Sequence, residues 1–230
     1  MSIQKTPERG TVLFKWFNQY SGVLLKTPSK TLVIDPVEIK PKALTDIDAV
    51  LITHEHYDHL DPPNVAEIQK DNDCIVMADW ASARKLQNLI PKDKLVRAKQ
   101  GDTHSLGEVT VKVEKANHPA QSPVTYLIGS EDGLKVFHTA DSLPFPELAK
   151  ISEEEVLDVV FCTVGIAPGC TPQTALEIAR LTKPYIAVPY HCENVRTQRD
   201  FSELIKKQLP QTLSLIPEQN KIYQVTRRKK

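Results

Sequence analysis

Ala49-Val50-Leu51-Ile52-Thr53-His54-Glu55-His56-Tyr57-Asp58-His59 is a short apolar run leading into three imidazoles and two carboxylates within positions 54 to 59. An apolar run of this length reads as a buried strand, and the polar cluster at its end reads as a loop that the strand delivers. Imidazole and carboxylate together suit zinc, manganese and iron, and the histidines bind only when neutral. Three histidines packed this closely gain charge and repel one another as pH falls, so the cluster is costly unless it has a use. A solvated histidine-rich loop is the competing explanation. Metal binding accounts better for the spacing.

On both sides of this strand, the chain alternates short apolar runs with tight punctuation. Residues 11–17, 22–27 and 31–35 are predicted strands, and Asp35-Pro36 ends the third. Helical spacing marks 64–70 and 81–89, each leading to a strand, at 74–78 and 95–98. A hairpin-rich stretch comes next, with strands near 108–116, 124–129 and 134–139, the last two joined by Glu131-Asp132-Gly133. The final third alternates again: a strand at 159–164, a helix at 172–181, a strand at 185–189, a helix around 199–209, and strands at 213–216 and 222–225. Thr171-Pro172 is a sound helix start, with a hydroxyl N-cap and proline at the first helical position. This order predicts one domain over residues 1–230, built as two mixed sheets face to face with helices outside.

The 230 residues are 40% apolar and 25% charged, which is enough for a substantial core. Basic and acidic residues balance at 29 each, so no net field gathers nucleic acid or an anionic membrane. The run Arg227-Arg228-Lys229-Lys230 is the one local exception and reads as a solvated tail. Residues 1–10 lack the apolar core of a signal peptide, and no run is long enough to span a bilayer. Four cysteines without a C-x-x-C pair fit a reducing, cytoplasmic setting, with Cys74 and Cys162 as small buried hydrophobes.

Three further residues recur in the same context as the histidine loop. His118 comes after the strand that ends near Ala116, Asp141 after Val136-Phe137-His138-Thr139-Ala140, and His191 after Ile186-Ala187-Val188-Pro189-Tyr190. Polar groups just beyond buried strands are poorly placed for packing and well placed to line a shared crevice. His138, inside its strand, reads as a buried, hydrogen-bonded residue. His104, after Gly101-Asp102, reads as an exposed turn residue, and Glu55 as solvent-facing.

With these residues in view, the chain resembles the metallo-β-lactamase superfamily over nearly its whole length. The resemblance is carried by His54-x-His56-x-Asp58-His59, then His118, Asp141 and His191 in the family's order, and by Asp35-Pro36. Length and the segment from Gly165 to Pro172 look most like the ascorbate-6-phosphate lactonase-like branch. Similar sequences often carry Gly-His between the first two strands, where this chain has Asn18-Gln19-Tyr20-Ser21, so no role for that histidine carries over.

The resemblance implies a four-layer αββα sandwich with the site at one edge, between the sheets. It implies His54, His56 and His118 on one divalent cation, Asp58, His59 and His191 on a second, Asp141 bridging, and Asp35 supporting the histidine loop. Zinc is the first expectation, with manganese, iron, nickel and cobalt as alternatives. Such a site turns water into a nucleophile near neutral pH, with Asp58 orienting it, against a small ester, lactone or phosphodiester. The family also holds nucleases, but the inserted domains and arms of its ribonucleases find no room here. Single-iron sulfur dioxygenases share the first motif, and a non-catalytic metal-binding module is the last alternative. The expected partner is a small-molecule substrate rather than nucleic acid or membrane. Homo-oligomers are common among similar hydrolases.

Overall fold

The computed structural model describes residues 2–227. Among the described residues, fourteen strands form two seven-stranded sheets. The first sheet takes β1 (Thr11–Trp16), β2 (Val23–Lys26), β3 (Thr31–Ile34), β4 (Ala49–Ile52), β5 (Ile75–Ala78), β6 (Leu95–Arg97) and β14 (Tyr223–Thr226), in the order β14-β1-β2-β3-β4-β5-β6. The second takes β7 (Thr103–Leu106), β8 (Val109–Lys115), β9 (Val124–Gly129), β10 (Lys135–His138), β11 (Val159–Thr163), β12 (Ile186–Tyr190) and β13 (Leu213–Ser214), in the order β13-β12-β11-β10-β9-β8-β7. Each sheet is mixed. In the first, β3 to β6 run parallel while β14, β1, β2 and β3 alternate. In the second, β10 to β13 run parallel and β7 to β10 alternate.

Among the described residues, five α-helices cover the outer faces: α1 (Pro62–Asn72) and α2 (Trp80–Leu86) on the first sheet, and α3 (Leu148–Glu154), α4 (Pro172–Thr182) and α5 (Val195–Gln208) on the second. The strands of the first sheet alternate their side chains between two cores. Val12, Phe14, Leu25, Ile34 and Leu51 face the second sheet, while Leu13, Leu24, Val33, Val50 and Ile52 face α1 and α2. Burial on both faces is why Leu32 to Ile34 of β3 and the whole of β4 read as continuous apolar runs rather than as alternating ones. Phe14 meets Phe161 edge to face at 5.1 Å, and the Tyr126 hydroxyl donates across the sandwich to the Ile52 carbonyl at 2.8 Å. The four-layer αββα architecture is therefore the one expected.

Helix starts obey side-chain chemistry. Asp61, Asp79, Thr171 and Asn194 cap α1, α2, α4 and α5, and Thr171 with Thr174 closes a capping box. Two local expectations change. Helix α3 has no sequence signal of its own because it is short, comes after Pro144 and Pro146, and buries only Leu148 and Ile151. His104 is not in a turn: it lies half-buried in edge strand β7, paired with Val111, since Thr-His-Ser-Leu carries too little apolar pattern to read as a strand. Arg227 donates to the Asp132 carbonyl, and Arg228 to Lys230 of the basic tail lie outside the described residues. Among the described residues, no helix is long and apolar enough to cross a membrane.

Candidate metal centre

The parallel strands of both sheets end at one edge of the sandwich, and all seven candidate residues gather there. Their donor atoms form two groups: His54, His56 and His118, and then Asp58, His59, Asp141 and His191. The first loop supplies four of the seven. The second sheet supplies the others singly, from the segments after β8, β10 and β12.

Asp35 builds the loop. Its backbone takes the left-handed conformation (φ 46°) at the end of β3, which turns the carboxylate under the loop. There Oδ1 accepts from the Thr53 amide at 2.9 Å, and Oδ2 accepts from the hydroxyls of Thr53 (2.8 Å) and Ser21 (2.7 Å). His59 Nδ1 also donates to Oδ2, at 2.7 Å. With Nδ1 committed to Asp35, Nε2 is turned to the Asp141 Oδ1 atom at 3.2 Å and becomes the ring's donor atom once its proton is lost. The supports Ser21 and Thr53 are additions that the structure makes to the site. Nothing in a lone hydroxyl residue marks it as one; only its neighbours in space do.

The first group is a triangle of imidazoles. His56 Nδ1 lies 3.1 Å from His54 Nε2 and 3.2 Å from His118 Nε2. Donors bonded at about 2.0–2.1 Å to one tetrahedral cation stand about 3.3–3.4 Å apart, so the spacing fits a shared ion. In the second group, His59 Nε2, both ring nitrogens of His191 and Asp141 Oδ1 are buried without a hydrogen-bond partner. Buried polar atoms left unpaired are costly, and a cation among them removes that cost. The residues present therefore fit a metal.

Asp141 joins the groups. Its Oδ2 is 3.7 Å from both His54 Nε2 and His118 Nε2, while Oδ1 is 3.2 Å from His59 Nε2 and 3.3 Å from His191 Nδ1. The preceding residue, Ala140, is left-handed (φ 48°), as is His191 itself (φ 54°). Both are departures from ordinary backbone at the positions that aim donors, where such strain is commonly found.

Electrostatics differ between the groups. Burial, with the neighbouring His59, drives the His54 imidazole far below its usual range, and burial lowers His118 too. Burial also acts to lower His59, but the Asp141 and Asp35 carboxylates outweigh it and hold His59 well above the ordinary histidine value. For Asp141, burial would raise the carboxyl; His59 and His191 outweigh it and hold it low. Burial likewise opposes ionisation of Asp58, and the nearby imidazoles of His191, 3.6 Å away, and His59 reverse it. Cys170 and Cys192 flank this region, but burial pushes both thiols up to about 12, so they stay protonated and the donor set remains nitrogen and oxygen.

Two neighbours take other roles. His138 Nε2 meets the Ser21 carbonyl at 2.9 Å in a fully buried setting, as expected, and belongs to neither group. Glu55 is only partly exposed: its Oε1 accepts from the Gln121 amide at 3.0 Å, tying the first loop to the segment that carries His118. The expected solvent-facing role is corrected by that bond.

A sequence profile of the β-lactamase superfamily domain matches residues 21–192, three quarters of the chain and the span from Ser21 to just past His191. The chain belongs to the metallo-β-lactamase superfamily. Among relatives of this superfamily member, a UPF0173 metal-dependent hydrolase of Polynucleobacter asymbioticus is 27% identical over 91% of this chain and 84% of its own. A solved structure described as a metal-dependent hydrolase of Parabacteroides distasonis superposes with a TM-score of 0.75 at 26% identity, over 89% of this chain and 92% of its own. A metallo hydrolase from Ignicoccus hospitalis gives 0.80 at 18% identity, over 95% and 100%, a likeness that concerns the fold alone.

Proposed function

We propose that the protein is a metal-dependent hydrolase with a binuclear centre, acting in the cytoplasm on a small ester, lactone or phosphodiester. His54, His56 and His118 would hold one divalent cation, Asp58, His59 and His191 the other, and Asp141 would lie between them. The observation that carries this reading is the divided Asp141 carboxylate, with one oxygen turned to each group. The names borne by its superfamily relatives support hydrolysis as the reaction. Free, buried cysteines support a reducing compartment.

Divalent cations held there supply Lewis acidity, which lowers the pKa of water and polarises the attacked oxygen. The chain's own part is to place and receive protons. Asp58 is the more open of the two carboxylates in the second group, so it can hold the attacking water and accept its proton. The Asp35–His59 bond fixes the ring so that Nε2 stays directed inward throughout. His54, His59 and His191 are fully buried, which strengthens each electrostatic contact they make.

Metal analysis of the purified protein should find close to two cations per chain, with zinc the first to test. Hydrolysis of bis(p-nitrophenyl) phosphate or of simple lactones should be abolished by EDTA and restored by adding metal back. One cation per chain at full activity would overturn the binuclear reading.

A further inference from the structure

Beside the metal centre, on the same edge of the first sheet, lies a cleft of ≈ 630 Å³ lined by Trp80, Arg97, Lys99, Asp102, Ser122 and Val124 among others. Its position is set by strand register. Ile52, Ala78 and Arg97 stand side by side across β4, β5 and β6. His54 lies two residues beyond Ile52, Trp80 two beyond Ala78, and Lys99 two beyond Arg97. Adjacent strands are about 4.8 Å apart, so the cationic end of this row is about 10 Å from the first metal-binding histidine. The wall between them is continuous: the Val124 amide donates to the Thr53 carbonyl at 3.0 Å, and the Ser122 hydroxyl donates to the buried Asp79 carboxylate.

The cleft has a specific chemistry. The Arg97 guanidinium lies 5.5 Å from the centre of the Trp80 ring, and that of Arg84 4.9 Å. Among the described residues, no carboxylate pairs with Arg84, Arg97 or Lys99, whereas nearby Lys94, Lys112 and Lys115 all have acidic partners. Asp102 is the one acidic group in the lining, and it leaves the cleft with a net positive charge. A guanidinium held on an aromatic face loses little further entropy on binding and keeps its N–H edge free. That edge matches the paired oxygens of a carboxylate or a phosphate.

We propose that this cleft binds an anionic group, a carboxylate or phosphate, that the substrate carries about 10 Å from the bond to be cleaved. Its part in turnover rests on the hydrolase reading above; anion binding by the cleft does not. The substrate is then an extended molecule, with its reactive centre over the metal donors and its charged end on Arg97.

Binding is read first, on the metal-replete protein, by tryptophan fluorescence during titration with acetate and with methyl phosphate at constant ionic strength. The other tryptophan, Trp16, is buried in the core and reports little. One of the two anions should give a saturable change, which identifies the group recognised. The change should vanish in Trp80→Phe and need at least tenfold more anion in Arg97→Gln. No saturation with either anion, or saturation unaltered in Arg97→Gln, overturns the subsite. Turnover is read second, with mono-p-nitrophenyl suberate and its neutral methyl ester. Arg97→Gln should raise KM about tenfold for the acid and leave the methyl ester unchanged; an equal effect on both overturns the specificity role. If neither ester is hydrolysed by the unaltered protein, ester hydrolysis fails while the fluorescence result still decides the cleft.

Discussion

The two donor groups sit against each other yet are built on opposite principles. His54, His56 and His118 form a purely imidazole set, in which burial keeps His54 and His118 neutral. Asp58, His59, Asp141 and His191 mix carboxylate with imidazole, and there His59 holds its proton tightly. A cation entering the first group displaces no proton from His54 or His118. One entering the second must compete with a proton, and gains two carboxylates in exchange. In the proposed binuclear centre an all-imidazole set would thus stand beside a charge-compensated one, with Asp141 shared between them.

The strongest challenge to that picture is Asp141→Ala. Removing the shared carboxylate should empty both groups and cost about a thousandfold or more in turnover, about 4 kcal/mol. Circular dichroism should stay close to that of the parent, and metal analysis should fall toward zero. Near-normal turnover in this variant would remove the basis for a shared bridge. Asp58→Ala should separate the groups: one cation per chain, retained by the three histidines together with Asp141, with turnover reduced about a hundredfold. Two cations remaining would place Asp58 outside the second group.

Acidification should also separate them. Because its carboxylate partners raise the His59 pKa, protons compete there at a higher pH than at His54 or His118, whose pKa values are lowered. As pH falls, the second group should release its cation first, giving two steps in metal content. In the metal-free protein the same raised pKa contributes stability that is present below the ordinary histidine value and is lost as pH rises through the elevated one. A single release step would dissolve the distinction. Asp35→Asn is the mildest probe. It keeps the shape but removes the charge that His59, Ser21 and Thr53 all bond, and should weaken the second cation about 10- to 100-fold with little effect on the first. Equal weakening of both cations would show that Asp35 supports the loop as a whole.

Much of this is legible in the sequence because the informative signals are local. The His54–His59 loop announces itself through density, and the strands on either side through uninterrupted apolar runs. His118, Asp141 and His191 can be read only from a shared habit of coming after a strand, together with the family resemblance. The hidden features depend on distant partners. The bond from Glu55 to Gln121, the hydroxyls of Ser21 and Thr53 under the histidines, and the Arg–Trp cluster bring together residues with no sequence pattern in common. Helix α3 and strand β7 escape for a simpler reason, since neither buries enough apolar surface to leave a period.

Strand β14 lies on β1, pairing Thr226 with Thr11, so the first sheet gains its edge only from a segment near the other end of the chain. During synthesis at about 5–20 residues per second, the histidine loop therefore leaves the ribosome well before the three donors of the second sheet, and before the strand that completes its own. Contacts this far apart in sequence form slowly, because loop closure costs entropy before any contact repays it. For that interval the nascent chain presents an exposed cluster of imidazoles with half a coordination sphere. A complete donor set can therefore exist only once the second sheet has packed onto the first.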